Sequence, residues 1–356
     1  MAAIDTATKI RHGEELDEPK LETFLRERIE DAGEGFSIRQ FPGGHSNLTY
    51  QVTLGEKEYV LRRPPFGSKV KGAHDMGREF TVLSHLSKVY PQAPTPILFC
   101  QDPEVIGADF YLMQRIQGVI YRNRKPDDFN LSQEQIRETC VSFVKNLVHL
   151  HSIDYEAAGL AELKREGQYT ERQVMGWSKR YFGSKTDEVL DIEATSKWLQ
   201  ERIPPDSGSV IVHNDYKFDN IVLDPDDSSK IIGVLDWEMT TIGDPLMDLG
   251  TALGYWAENE DEDEIKVVQS FLTTLPGALN RQELADLYAS ESGRPIPELT
   301  FYYVFALFKL AVIVQQIYYR YHQGLTQDPR FAKMIDMVYA LGKKSQRAIE
   351  SNSIRP

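Results

Sequence analysis

Between Phe36 and Arg63 the chain passes through three short runs dominated by β-branched and aromatic residues: FSIRQF, LTYQVTL and EYVLRR. A Pro-Gly-Gly segment separates the first two runs and a Gly-Glu-Lys turn the last two, so the stretch predicts an antiparallel sheet built from consecutive strands. A helix is expected before it over 19–32, where Leu21, Phe24, Leu25 and Ile29 recur at helical spacing, Pro19 suits a first turn and Gly33 a stop. A second helix is expected over 73–89, with Met76, Phe80, Leu83 and Leu86 on one side, followed by strands over 96–100 and 109–116. After Gly118 the pattern turns mostly helical. Ser132 with Gln135 reads as a capping box ahead of Ile136, Cys140, Phe143, Leu147 and His151. A short β region (SVIVHNDY, NIVLD, KIIGVLD) interrupts at 209–236, and helical patterns resume over 265–275, 281–291, 301–323 and 330–349. The expected fold class is α+β: a β-rich lobe with a leading helix over 1–116, joined near 114–118 to a mostly helical lobe over 117–356.

Composition narrows the function classes. With 356 residues, 41% of them hydrophobic, the chain can bury a full core, which excludes global disorder and suits one large domain or two closely joined lobes. A formal net charge of −14 argues against nonspecific nucleic-acid binding, which needs basic surface to release counterions. Cys100 and Cys140 cannot build a disulfide framework or a four-ligand zinc site, which points to a reducing compartment, the cytoplasm. The opening MAAIDTATKIRHGEELDEPK has no apolar run and is acid-rich, so neither secretory nor mitochondrial targeting is expected from it. Phe301 to Tyr319 is the longest apolar stretch. Lys309 at its centre and Gln315–Gln316 after it are costly in lipid, so a buried core helix and no membrane span are predicted. Residues 251–300 hold ten acids against three bases. The acidic run Glu258 to Glu264 reads as a solvated helix start, or as an attractor for a cationic substrate. Residues 301–350 hold seven Lys or Arg against three acids, which suits a phosphate-bearing substrate or an ordinary helix surface.

The richest chemistry lies in His213-Asn214-Asp215-Tyr216-Lys217-Phe218-Asp219-Asn220, set between two apolar runs and therefore on a loop where strands meet. His-x-Asp with Asn five positions after the Asp is the arrangement of the catalytic loop in phosphoryl-transfer kinases. One carboxylate must accept a hydroxyl proton while a nearby amide oxygen holds a divalent cation on the phosphates. Sixteen residues after Asn220 comes Asp236, in Val234-Leu235-Asp236-Trp237-Glu238, placed at a strand end as a second metal ligand would be. The bare loop pattern can also arise from an Asp and an Asn that cap a turn. Its coupling to the LDWE strand end carries the functional reading.

HNDYKFDN and VLDWEMTTIGDPLMDLG resemble the motifs of the aminoglycoside phosphotransferase and choline kinase-like superfamily, and the similarity runs from GGHSNLTYQV at 43–52 to the helix around 301–323. GGHSNLTY, YVLRRPP, FYLMQRIQG and GDPLMDLG are closest to the branch that includes the N-terminal kinase-like domain of certain acyl-CoA dehydrogenases. The resemblance implies a protein-kinase-like two-lobed fold and a small-molecule kinase that uses ATP, bound between the lobes, and Mg2+. It implies Asp215 as the catalytic base, Lys217 as a γ-phosphate contact, and Asn220 and Asp236 as the magnesium ligands. His213 would fix the loop through hydrogen bonds, and Asp248 would brace it. Gly43, Gly44, Ser46 and Asn47 in the first hairpin would approach the phosphates. Arg62 stands where kinases keep a lysine, with Glu79 as its partner. Arginine can fork onto phosphates but does not reproduce lysine's geometry. Strand alternation puts Val60 and Arg62 on the nucleotide side and Arg63 on the other. Met113 would lie behind the adenine, with the backbones of Gln114 and Ile116 bonding it.

For the acceptor hydroxyl, the branch resemblance points to a hydroxyacyl-CoA or related hydroxy acid. The superfamily name points to an aminoglycoside, which the acidic segment would suit. A nucleotide-binding pseudokinase acting as an interaction module has Arg62 as its only support, against intact Asp215, Asn220 and Asp236. Protein kinase activity lacks a D-F-G or A-P-E segment after Asp236.

Overall fold

The computed structural model describes residues 4–30, 32–42, 47–66, 75–266, 269–326 and 328–355. The chain divides into two units, the smaller formed by residues up to Val119 together with 222–225 and 232–239, the larger by the remainder. This corrects the single cut expected after residue 116. The cause is a main-chain pairing: Val119 and Leu223 exchange N–H···O bonds of 2.9 Å, and the Val234 N–H reaches the Gln92 carbonyl at 2.8 Å. Gly118 permits that approach, since a Cβ there would sit 2.4 Å from the Leu223 carbonyl oxygen.

In the smaller unit, strands β1 (Phe36–Gln40), β2 (Leu48–Leu54), β3 (Lys57–Arg63), β4 (Pro96–Cys100) and β5 (Phe110–Gln114) form one antiparallel sheet. Its order is β1-β2-β3-β5-β4. Helices α1 (Glu18–Arg26), α2 (Met76–Leu86) and the one-turn α3 (Pro103–Ile106) accompany it. Period-two alternation sorts the side chains. Tyr50, Val52, Leu54, Tyr59, Leu61, Phe110 and Leu112 form a core with Leu21 and Leu25 of α1. Val60 and Arg62 stand on the opposite face beside their cross-strand partners Met113 and Tyr111. α1 stops earlier than 19–32 predicts. Arg26 bonds the carbonyls of Gly33 and Gly35 at 2.6 and 3.1 Å, which turns the chain back toward β1.

The larger unit contains α4 (Gln133–Ser152), α5 (Tyr169–Ser184), α6 (Leu190–Glu201), β6 (Val210–Val212), β7 (Ile221–Leu223), β8 (Ile231–Val234), β9 (Thr241–Gly243), α7 (Pro245–Gly254), α8 (Asp263–Lys266), α9 (Arg281–Ser292), α10 (Leu299–His322) and α11 (Met334–Ser351), with β7 and β8 cut by the division between units. β6 pairs with β9 and β7 with β8. The Ser132–Gln135 capping box forms as expected at the start of α4. The helix expected over 265–275 does not run through: α8 ends at Lys266, residues 267 and 268 lie outside the described ones, and a 3-10 turn spans Phe271–Thr274.

Among the described residues α10 alone is long and apolar enough to cross a membrane, and 83% of its most apolar window is buried inside the protein. It is a core helix. It crosses α7 at close range because Gly250 and Gly254 lie one turn apart on α7. A Cβ on Gly250 would meet the Tyr302 carbonyl oxygen at 2.5 Å, and one on Gly254 the Ala306 Cβ at 2.7 Å. Gly250→Ala is therefore expected to destabilise by about 1–3 kcal/mol through overpacking against main chain that cannot yield. A denaturant titration against Gly183→Ala, where a Cβ meets nothing within 4 Å, checks it.

The acidic run after Tyr255 is divided: Glu260, Asp263 and Glu264 are exposed, the last two in the first turn of α8 as a solvated helix start predicts, while the other acids are paired inside. Glu258 and Asp261 are buried and paired with Arg281, Lys344 also pairs with Asp261, and Arg355 reaches Glu258 at 2.8 Å. Glu262 pairs with Arg347 and Lys344. These ion pairs also take up two of the basic residues counted over 301–350.

Candidate functional site

The chemistry-bearing residues fall into two groups, one in each unit. In the larger unit, β6 is fully buried and delivers the chain to the loop from His213 to Lys217, which a 3-10 turn over Phe218–Asn220 closes. Alternation along the loop sets its chemistry. Tyr216 and Phe218 turn inward against Phe143, at ring separations of 4.5 and 4.8 Å, and the Tyr216 hydroxyl donates to the Phe143 carbonyl at 3.0 Å. Asp215 and Lys217 turn the other way, with side chains 16% and 24% exposed. Lys217 Nζ lies 2.9 Å from Asp215 Oδ2, and Asn220 Nδ2 donates to the same oxygen at 3.0 Å and to the Asp215 carbonyl at 2.9 Å. The Lys217 ammonium also sits 4.6 Å from the Tyr255 ring centroid. Burial works against the charge on Lys217, but the Tyr255 phenol and the Asp215 carboxylate outweigh it and lift the ammonium above its ordinary value.

Asp248, fully buried on α7, fixes this loop. Its Oδ2 accepts from the His213 N–H and its Oδ1 from the Asn214 N–H, both at 2.7 Å, and His151 Nε2 donates to Oδ2 at 3.2 Å. Tyr288 stands behind His151, its hydroxyl 2.8 Å from Nδ1. Burial alone would raise the Asp248 carboxyl; the hydrogen bond from His151 and the main-chain N–H of His213 are among the contacts that outweigh it and hold it below the usual carboxylate range. α7 starts where it does because Asp244 caps it, accepting from Leu246 and Met247 at 2.7 and 3.1 Å, with Pro245 in the first turn. That start places Asp248 one turn in. Asn214 adopts φ 66°, a left-handed conformation that asparagine tolerates better than most residues. The Tyr169 hydroxyl donates to its side-chain oxygen at 2.7 Å, and Lys309 Nζ to its carbonyl at 2.6 Å. His213 Nδ1 accepts from the Asp215 N–H at 3.2 Å, a hydrogen-bonding position like the one expected for it.

In the smaller unit, the buried Arg62 gathers three carboxylates. Its Nη1 is 2.7 Å from Glu79 Oε1 on α2, and its Nη2 is 3.0 Å from Asp236 Oδ1 and 3.8 Å from Glu238 Oε2. Asn47 Nδ2 donates to Glu238 Oε2 at 2.7 Å, and Arg78 Nη1 to the Glu238 carbonyl at 2.8 Å. Burial opposes the charge on Arg62, but Glu79 and Asp236 raise it well above its ordinary value. Asp236 has φ 68°, so it and Asn214 are two of the four left-handed non-glycine residues among the described ones. Met113 is buried opposite Val60, on the Arg62 face. The Gln114 N–H bonds the Thr95 carbonyl at 2.8 Å. Ile116 packs over Gly233. Gly43, Gly44 and Ser46 lie outside the described residues.

In the larger unit Asn220 turns its amide nitrogen to Asp215, and in the smaller unit the Asp236 carboxylate is 31% exposed while holding Arg62 through one oxygen; an amide oxygen and a carboxylate are each the kind of hard donor a magnesium ion takes. Sequence reasoning missed Glu238, Tyr169, Tyr255 and Lys309 as parts of these groups. Glu238 stood in the quoted LDWE. Lys309 carried a clear signal, a lone cation at the centre of an apolar run, which served only to argue against a membrane span.

The profile of the phosphotransferase enzyme family matches residues 37–280. Acyl-CoA dehydrogenase family member 11 of Gallus gallus is 30% identical over 368 residues, covering 100% of this chain and 47% of that protein. The chain thus spans less than half of the length of that relative. Among solved structures, one from Ralstonia eutropha JMP134, assigned as an aminoglycoside phosphotransferase, superposes with a TM-score of 0.76 at 26% identity, over 94% of this chain and 99% of that one. Choline kinase from Cryptosporidium parvum Iowa II gives 0.65 at 14% identity, over 96% and 98%. A thermostable aminoglycoside phosphotransferase APH(4)-Ia mutant, in ternary complex with AMP-PNP and hygromycin B, gives 0.58 at 15%, over 94% and 99%. The last two establish a shared kinase-like fold.

Proposed function

The chain belongs to the phosphotransferase enzyme family, as a phosphotransferase with an alcohol group as acceptor, and from that premise we propose that it is an ATP- and Mg2+-dependent small-molecule kinase with Asp215 as its base. The observation that supports this most is the Asp215 carboxylate itself. It is partly exposed, carries Lys217 and Asn220 on its oxygens, and sits on a loop whose main chain Asp248 holds by two amides. A carboxylate so held can accept the proton of an incoming hydroxyl as the oxygen attacks phosphorus. Lys217 then stands beside the charge that develops on the transferring group. Asn220 and Asp236 would hold the magnesium ion, which when bound neutralises phosphate charge. The AMP-PNP complex of a fold relative supports ATP as the donor. Two buried free cysteines, Cys100 and Cys140, support a reducing compartment.

For the acceptor we favour a hydroxyacyl-CoA or a related hydroxy acid. The relative that matches along the whole chain is named for an acyl-CoA dehydrogenase, and two activities in one polypeptide are most economically joined by a common acyl-CoA. The charge argument for an aminoglycoside is weakened, because Glu258, Asp261 and Glu262 are paired internally and only Glu260, Asp263 and Glu264 of the run stay exposed. ADP release measured with MgATP over hydroxyacyl-CoAs and aminoglycosides tests the choice. Turnover on the first panel is expected, and turnover on the second alone would overturn the acceptor.

Arg62 serves in this reading as the cation nearest the α- and β-phosphates. Arg62→Lys keeps a charge beside Glu79 but loses the fork. The KM for MgATP is expected to rise several-fold, with kcat changed less. An unchanged KM would remove the phosphate contact.

A further inference from the structure

Lys309 lies in the middle of α10, in the most apolar helix of the protein, and is 3% exposed. A buried ammonium needs a reason, since its desolvation must be offset by specific partners. The partners here converge on one peptide group. Nζ donates at 2.6 Å to the carbonyl of Asn214, the residue that precedes Asp215 and carries the left-handed φ. The N–H of the same peptide, on Asp215, bonds His213 Nδ1 at 3.2 Å. The plane from which Asp215 projects is thus gripped at both ends. The position of Lys309 is itself determined by the close helix crossing, because Tyr302 and Ala306, which abut Gly250 and Gly254, lie on the α10 stripe that leads to Lys309. Its ammonium is 5.6 Å from the Trp177 ring centroid on α5.

We propose that Lys309 is a positioning residue for phosphoryl transfer: its ammonium locks the Asn214–Asp215 peptide in the left-handed turn that aims the Asp215 carboxylate at the acceptor hydroxyl. A neutral donor could make the hydrogen bond, but only a cation also draws on the two carboxylates that face it. The charged groups around Lys309 are Asp215 of the loop and Asp248 of α7, which favour its charge, and Lys217 of the loop and Arg180 of α5, which oppose it. Burial is the largest influence and brings the ammonium down to about 8. The lock is therefore charged at neutral pH and loses its charge as pH rises through that value.

The inference rests on the kinase reading, and its test separates the two. With MgATP and an accepted acceptor, wild-type kcat should fall as pH rises through about 8. Lys309→Met should lower kcat about 100-fold at pH 7, the size expected when a reacting group is misplaced by about 1 Å, with KM for ATP within about two-fold. Lys309→Arg should restore most of kcat and abolish the alkaline fall, because arginine stays charged. Wild-type kcat in a folded Lys309→Met protein, or the same alkaline fall in Lys309→Arg, would overturn the proposal.

A second readout needs no turnover. In protein labelled at lysine 13Cε, the signal absent from Lys309→Arg should titrate near 8 and move lower in Asp215→Asn, which removes one of the favouring charges. A Lys309 signal that titrates like free lysine, and ignores Asp215→Asn, would refute the lock even in an active kinase. A coupled signal in a protein that phosphorylates nothing would refute the kinase reading instead.

Discussion

Asp248→Ala is expected to lower the stability of the protein by about 3–5 kcal/mol, the range for removing one member of a buried charged network. The carboxylate is fully buried and receives the His213 and Asn214 amides and His151. Its removal leaves two main-chain N–H groups and an imidazole without that acceptor in an interior that water does not reach, and each stranded donor costs free energy of its own. Asp248→Asn should fall between, because one oxygen becomes a donor that faces donors. The pH dependence follows from the direction of the shift. A carboxyl held below its unfolded value contributes stability that is present above the ordinary carboxylate range and lost as pH falls through the lower folded value. The gap between wild type and Asp248→Ala in urea titrations should thus be full at neutral pH and narrow under acid. Equal midpoints at pH 7 would show that the loop does not depend on this brace.

The second large effect is on rate. Asp215→Asn should leave melting nearly unchanged, since the side chain is partly exposed and the substitution keeps its shape. Turnover should fall by about 100- to 10,000-fold, the usual contribution of a positioned base. Nucleotide affinity should stay within a few-fold of wild type. A loss of nucleotide binding equal to the loss of turnover would mean that Asp215 acts in binding rather than in proton transfer.

What could be read from the sequence was what depends on local chemistry. The three strands from Phe36 to Arg63 follow from alternation and turn residues, and the Ser132–Gln135 cap from residue types at fixed spacing. The loop from His213 to Asn220 was legible because its apolar flanks force it to be a loop and its polar residues are few and specific. Asp248 entered through resemblance, and the two amides it receives give that role a physical content. What escaped was set by distant partners. Nothing near Glu258 and Asp261 signals Arg281 or Lys344, so two acids of a run that looks solvated turned out to be paired inside. The return of 222–225 and 232–239 to the smaller unit rests on main-chain bonds of Leu223 with Val119 and of Val234 with Gln92, which carry no side-chain signature. Lys309 was visible as an anomaly, but its meaning required knowing that α10 passes beneath the peptide of Asn214.

The central claim is transfer of the γ-phosphoryl group from ATP to a small-molecule hydroxyl with Asp215 as base. The most direct measurement follows γ-labelled phosphate into product, with wild type and Asp215→Asn run side by side on a hydroxyacyl-CoA panel with magnesium. The account predicts label on the acceptor in step with ADP, and loss of both in the variant. Label that appears only as inorganic phosphate, or equal transfer by Asp215→Asn, would contradict it.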